Sequence, residues 1–131
     1  MIFLTVSVLA LSFPGCGKKE NTSDRTLRVG IVTYTQDDPF INTMTEQIRE
    51  DLKLKESKDM KILVSVKNGD NDQRDQDELV EEMIAAGCDV LCVNLVDRTA
   101  PSDIIKAARQ EKIPVIFFNR EPVKEDLMQW D

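Results

Sequence analysis

The stretch LRVGIVTYTQDDPFINTMTEQIREDL (27–52) contains the change of hydrophobic pattern that decides the fold. Its first part, LRVGIVTY (27–34), is a short apolar run rich in Val and Ile, which predicts a buried strand. Asp38 followed by Pro39 is typical of a helix start, with Asp38 as the N-cap. The apolar residues that come next recur at spacings of three and four and predict one helix face: Ile41, Met44, Ile48 and Leu52.

The same alternation of strand and helix continues along the chain. Further strands are predicted at MKILVSV (60–66), DVLCVNL (89–95) and IPVIFF (113–118). The helix between the second and third strands has an apolar face made by Leu79, Val80, Met83 and Ile84. We expect Gly87 to end this helix, since glycine readily adopts the left-handed conformation that follows a helix.

A third helix is predicted before the fourth strand, carrying Ile104, Ile105 and Ala108, with Asp97 or Thr99 as its N-cap. Apolar strands separated by helices of this length predict right-handed β-α-β units. The predicted fold class is therefore α/β, a parallel sheet with helices on both faces. Cys88 and Cys92 fall at the edge of and inside the third strand, where we expect them to pack as small apolar residues.

The composition excludes several classes of function. The chain has 131 residues, a formal net charge of −7 and no histidine. Without histidine, Ser–His–Asp catalysis, Cys–His catalysis and His-ligated zinc are excluded. The acidic balance argues against a nucleic-acid partner, because phosphate neutralisation needs clustered Lys and Arg. The three cysteines are widely spaced and provide neither a disulfide framework nor a metal site, so we predict no metal and no cofactor.

The first residues differ in character from the rest of the chain. Residues 2–15, IFLTVSVLALSFPG, carry no charge and are too few to span a bilayer comfortably, which takes about 20 residues. They match the apolar part of a secretory signal, and Cys16 directly after them resembles the lipidated cysteine of a bacterial lipoprotein. We therefore expect a signal segment at 1–16, a flexible tether at 17–26 and a folded lobe at 27–131. The alternative is a buried strand that ends in a structural cysteine.

Three loops should meet at one edge of the sheet, because the carboxyl ends of parallel strands lie together and ligands bind there. None of them carries the glycine-rich turn of a nucleotide site. They provide carboxylates, amides and one aromatic ring, which suit a neutral sugar with hydroxyl groups and an apolar C–H face. The candidate residues are Asp38, Phe40 and Asn119. Each has a structural alternative: a helix N-cap for Asp38, a core position for Phe40 and a turn for Asn119.

Four segments resemble, in order, the amino-terminal half of bacterial galactose/glucose-binding proteins, which belong to the type I periplasmic binding proteins. The segments are VGIVTYTQDDPF, NGDNDQRDQ, AAGCDVLCVNLVD and IPVIFFNREP, so the resemblance runs from about Arg28 to Pro122. It implies that Asp38 and Asn119 hydrogen-bond sugar hydroxyls and that Phe40 stacks on the pyranose. Arg120, Glu121 and Asn94 lie in matching segments without an implied contact.

The resemblance also implies partners and a location. Such proteins are not enzymes: they bind a hexose outside the cytoplasm and deliver it to the permease of an ABC transporter. A chemoreceptor or sensor kinase is a compatible further partner, and the lipid on Cys16 would hold the protein at the membrane, in the periplasm or on the outer face of the cell membrane. The family has a second lobe across a cleft, which supplies a stacking Trp and often a calcium site. Trp130 does not match that stacking residue.

Two other classes of protein are built on similar lobes. A response-regulator receiver has an acidic pair after its first strand, as Asp37 and Asp38 are here. It also needs an Asp at the end of the third strand and a Ser or Thr after the fourth, where this chain has Asn94 and Asn119. A sugar-responsive repressor core would carry a basic headpiece in place of the apolar leader. The receiver and another sugar-responsive sensor lobe stay as alternatives to the binding protein.

Overall fold

The computed structural model describes residues 25–124, which form a four-stranded parallel sheet with three helices. The elements in chain order are β1 (Arg25–Thr33), α1 (Pro39–Lys53), β2 (Met60–Asn68), α2 (Gln73–Ala85), β3 (Val90–Val93), α3 (Ser102–Gln110) and β4 (Val115–Phe117). The strands lie in the order β2-β1-β3-β4. The predicted α/β fold with a parallel sheet is confirmed.

The strand order reverses between β1 and β3. The chain leaves β1 to form β2 on one side and returns to form β3 on the other, so Val32 of β1 pairs with both Lys67 and Val93. In open parallel sheets, the loops at such a reversal diverge and leave a crevice beyond the carboxyl ends of the strands. The loops after β1 and β3 therefore frame the region where the sequence predicts a ligand.

The two faces of the sheet carry separate apolar cores. Helices α2 and α3 cover one face, whose buried residues are Val32, Val80, Met83, Leu91, Val93, Leu95, Ile104 and Ala108. On the other face Val29, Ile31 and Ile62 are buried, with Ile48 and Leu52 of α1 packed against them. The predicted stripes of α1 and α2 are thus the buried faces, because spacings of three and four place these side chains on one side of a helix.

The face that carries α1 is only partly covered within residues 25–124. An apolar groove of about 320 Å³ runs beside α1 and is lined by Leu27, Val29, Ile48, Leu52, Val90, Cys92, Ile116 and Phe118. Ile116 in β4 is 55% exposed. Strands of a parallel sheet are apolar because both faces are normally covered, so this groove is a surface that favours contact with another apolar element.

Helix α2 ends as predicted, whereas α3 does not begin as predicted. Gly87 has a φ of +79° and its N–H donates to the carbonyl of Ile84, a left-handed helix stop. Helix α3 follows Pro101 and has no side-chain cap, so the predicted capping by Asp97 or Thr99 is wrong. The physical reason is a tighter turn: the Asp97 carboxylate accepts hydrogen bonds from the backbone N–H and the hydroxyl of Thr99, at 2.8 and 2.7 Å.

Several boundaries differ from the predictions. β1 begins at Arg25, two residues before the predicted start at Leu27, because it pairs in register with β2 from Arg25 onwards. β3 and β4 are shorter than predicted, since apolar residues continue beyond the paired part of each strand. The predicted signal segment with Cys16 lies outside the described residues, as do most of the tether and residues 125–131.

Candidate functional site

Asp38 has one oxygen engaged in capping α1 and the other turned to a side chain. Its Oδ1 accepts hydrogen bonds from the backbone N–H groups of Phe40 and Ile41, at 2.8 and 3.4 Å. Its Oδ2 accepts the hydroxyl of Tyr34 at 2.7 Å. The Tyr34 hydroxyl, followed by these two N–H groups, holds the pKa of the Asp38 carboxyl below its usual range, and partial burial opposes this shift. Asp38 is therefore the predicted N-cap and also an ionised acceptor at the carboxyl end of β1.

Phe40 lies on the surface at the first turn of α1. Its side chain is 61% exposed, so the alternative that it is a core residue is wrong. An aromatic ring this exposed, two residues from an ionised carboxylate, provides a flat apolar surface for a ligand. Asn119 follows β4, is exposed and has a φ of +55°, the left-handed conformation that asparagine tolerates in turns. All three predicted residues thus lie at the same end of the sheet.

Tyr34 and Arg120 join the loop after β1 to the loop after β4. The Arg120 guanidinium carbon lies 4.5 Å from the centre of the Tyr34 ring. Its Nη2 donates to the carbonyl of Val96 at 2.7 Å, which holds the side chain in place. The sequence patterns predict no role for either residue. The sequence shows a Tyr at the end of the first strand and an Arg directly after Asn119. Their contact could not be predicted, because it depends on how the loops fold.

Two fully buried amides, Gln76 and Asn94, connect the strand ends beneath these loops. Gln76 Nε2 donates to the carbonyl of Asn94 at 2.9 Å, and its Oε1 accepts the N–H of Val96 at 2.9 Å. Asn94 Nδ2 donates to the carbonyl of Phe118 at 3.0 Å, and its Oδ1 accepts the N–H of Tyr34 at 3.4 Å. Both amides make their bonds within the lobe, so they fix the relative positions of the loops after β1, β3 and β4.

The chemistry of this surface suits a neutral polyhydroxylated ligand. An ionised carboxylate accepts hydrogen bonds from hydroxyl groups, an amide both donates and accepts, and an exposed ring packs on C–H groups. Across residues 25–124, no group of Cys, Asp and Glu side chains is arranged to hold a metal ion. In the same part of the chain, none of the helices has the length and apolar character to cross a membrane.

Two proteins named for the sugars they bind are similar to this chain. The D-galactose/methyl-galactoside binding periplasmic protein of Haemophilus influenzae is 34% identical over 95 residues, which are 72% of this chain and 28% of that protein. The ribose import binding protein of Bacillus subtilis is 26% identical over 125 residues, which are 91% of this chain and 39% of that protein. The chain thus spans between about a quarter and two-fifths of the length of these relatives.

A solved structure shows the same fold. The periplasmic solute binding protein of an ABC transporter from Actinobacillus succinogenes, crystallised with D-allose, superposes with a TM-score of 0.65 at 21% identity. The match covers 79% of this chain and 35% of that one. The periplasmic binding protein domain family matches residues 29–129, which include every described strand and helix except the first residues of β1. The chain belongs to the periplasmic binding protein family, and its described part is one lobe of that type I fold.

Proposed function

We propose that this lobe is the amino-terminal half of an extracytoplasmic protein that binds D-galactose or D-glucose and delivers it to an ABC transporter. The observation that carries the proposal is Asp38: an ionised acceptor fixed at the carboxyl end of β1, two residues from the exposed Phe40 ring. The identity to a galactose-binding periplasmic protein supports the choice of hexose. The protein would act by binding alone, without catalysis.

The hexose would lie between the loops after β1, β3 and β4. Asp38 would accept a hydrogen bond from a sugar hydroxyl, Phe40 would pack on the C–H face of the ring, and Asn119 would donate or accept at a further hydroxyl. A second lobe would cover the opposite face of the sugar. A permease, and in some cells a chemoreceptor or sensor kinase, would then recognise the loaded protein.

Asp38→Asn is expected to weaken hexose binding by the two-lobed protein about tenfold or more, while Asp37→Asn changes it less than about twofold. Asparagine retains N-cap ability, so this variant separates the loss of an ionised acceptor from the loss of the cap. Asp37 is exposed and its N–H donates to Thr35 Oγ1, so it is a matched control on the same loop. Titration calorimetry with D-galactose, D-glucose and D-ribose measures both variants.

The outcome of this titration also decides between ligands. Equal losses in the two variants would contradict the assignment of Asp38. Tighter binding of ribose than of either hexose would replace the hexose in the proposal, and the similarity to the ribose import binding protein makes ribose the appropriate competitor. Thermal unfolding of each variant shows whether a change in affinity reflects a change in stability.

We also propose that Cys16 is the lipid-bearing first residue of the mature protein, since it follows the apolar run 2–15 and precedes a polar tether. A diacylglyceryl group adds two acyl chains, which suffice for stable anchoring where one chain is marginal. Growth with a clickable fatty acid is expected to label the wild-type protein and to leave Cys16→Ser unlabelled. Cys88→Ser is the control, because this half-buried thiol lies inside the lobe and its loss should leave the label intact.

A further inference from the structure

Tyr34 is the residue on which the loops at the carboxyl end of the sheet converge. Its N–H donates to Asn94 Oδ1 at the end of β3, at 3.4 Å. Its carbonyl accepts the N–H of Asn71 in the loop after β2, at 2.8 Å. Its hydroxyl donates to Asp38 before α1, and the Arg120 guanidinium from the loop after β4 lies against its ring. The backbone and the side chain of Tyr34 are therefore both fixed by neighbouring elements.

The bonds of Asp38 show what this fixed hydroxyl does. A carboxylate has two oxygens, each able to accept about two hydrogen bonds. Oδ1 already accepts two backbone N–H groups, from Phe40 and Ile41, and Oδ2 accepts the Tyr34 hydroxyl. One acceptor position on Oδ2 is left for a ligand. Because both oxygens are bonded, the carboxylate is held against rotation and this position has a defined direction.

We infer that Tyr34 is a positioning residue for the sugar site: its hydroxyl holds Asp38 Oδ2 in the orientation that receives a sugar hydroxyl, and Arg120 holds the Tyr34 ring. This inference rests on the proposed function. Tyr34 acts through Asp38 and needs no contact of its own with the ligand. The arrangement also selects for ligands that donate a hydrogen bond, since an ionised carboxylate accepts and does not donate.

The hydrogen bond between the Tyr34 hydroxyl and Asp38 should also affect the pH dependence of sugar binding. The Tyr34 hydroxyl is the largest cause of the lowered pKa of Asp38, and Asp38 in turn raises the pKa of Tyr34. The groups bonded to this carboxylate are the Tyr34 hydroxyl and two backbone N–H groups of α1, and the guanidinium of Arg120 lies against the Tyr34 ring. Removing the hydroxyl should raise the pKa of Asp38, so that binding is lost at a higher pH as the solution is acidified.

The test compares Tyr34→Phe with the wild-type two-lobed protein. Phenylalanine keeps the ring against Arg120 and both backbone hydrogen bonds, and loses only the bonds of the hydroxyl to Asp38 and Arg120, so we expect little change in thermal unfolding. We expect hexose affinity at pH 7 to fall about fivefold, since a hydrogen bond to a charged group is lost. The acid limb of the binding profile, where affinity falls as the pH is lowered, should move to higher pH. A second variant, Arg120→Met, keeps an apolar stem over the ring and should weaken binding less than Tyr34→Phe.

A carboxyl NMR titration with ¹³C-labelled aspartate tests the geometry without sugar. The Asp38 signal, assigned by its loss in Asp38→Asn, should titrate at higher pH in Tyr34→Phe. Asp77 is the internal control: burial is the main cause of its raised pKa, neither Tyr34 nor Arg120 contributes, and its titration should not move. An unchanged pKa for Asp38, or an unchanged acid limb, overturns the inference alone. A wild-type protein that binds none of the three monosaccharides overturns the proposed function, and with it the sugar-binding role of Tyr34.

Discussion

Residues 27–131 expressed alone are expected to bind D-galactose and D-glucose about a thousandfold more weakly than the two-lobed protein that we propose, in the millimolar range or worse. Asp38, Phe40 and Asn119 all lie at one end of this lobe and, in the proposed site, would cover one side of a hexose. Small-ligand sites bury most of the surface of their ligand, so a single lobe leaves the other face of the sugar in water. The contacts that the proposed second lobe would add, and the full loss of hydration, are then both missing.

Titration calorimetry on the lobe and on the two-lobed protein measures this difference. Circular dichroism must first show that the lobe is folded, and sedimentation must show that it is monomeric, because the apolar groove beside α1 favours association. Asp38→Asn in both proteins is the control for weak non-specific binding. Micromolar binding by the lobe alone would refute the prediction and make it a complete one-lobe binder.

The strands and the three helices could be predicted because their signals are local. Ile48 and Leu52 pack on the sheet in the structure because their spacing places them on one side of α1. Asp38 could be predicted as a cap from its position before Pro39, and its side chain does accept the N–H of Phe40.

The start of α3 could not be predicted from the same kind of signal. Asp97 and Thr99 both have side chains suited to capping, but the N–H and the hydroxyl of Thr99 both donate to the Asp97 carboxylate, and the helix begins after Pro101. Short polar side chains can bond to nearby backbone in several ways, and the choice depends on where the chain must go next. Here Asp97 is also held by its own N–H, which donates to Gln73 of α2.

The contacts that organise the candidate site were beyond the reach of sequence patterns. Asp38 and Phe40 are close in sequence to the helix that presents them, so a motif can reveal them. Tyr34 meets Arg120 only because β1 and β4 end at the same edge of the sheet with loops of the right length. A glutamine on a helix is normally predicted to be exposed, but Gln76 is fully buried. A buried polar residue needs hydrogen-bond partners that are buried with it, and these partners become known only once the fold is known.

Gln76→Leu is expected to lower the free energy of unfolding by about 3 kcal/mol, the largest stability effect of the substitutions considered, because buried polar groups lose their partners. The side chain accepts the N–H of Val96 and donates to the carbonyl of Asn94, both at 2.9 Å. Leucine has a similar size but can form neither bond. The loops after β1 and β3 should loosen as well, so sugar affinity is expected to fall together with stability.

Urea unfolding of the wild type and the variant measures this effect, with Gln47→Leu as the matched control. Gln47 lies on the exposed side of α1, where its amide donates to Asp51 at 3.0 Å. The same chemical change there should alter the free energy of unfolding by less than about 0.5 kcal/mol. Equal changes in the two variants would show that the buried network contributes little.

Gln76→Glu tests whether Gln76 stabilises the fold through its hydrogen bonds or through the space that it fills. Glutamate has the shape of glutamine, but when ionised it accepts and cannot donate to the carbonyl of Asn94, and its charge is buried. Burial raises its folded-state pKa above the unfolded value, so the loss of stability relative to wild type should be largest at neutral pH. Below about pH 5, protonated glutamic acid can donate to Asn94 and accept from Val96, and the loss should shrink. No loss of stability at neutral pH would mean that Gln76 acts by filling space rather than by joining the strand ends, because glutamate keeps its shape.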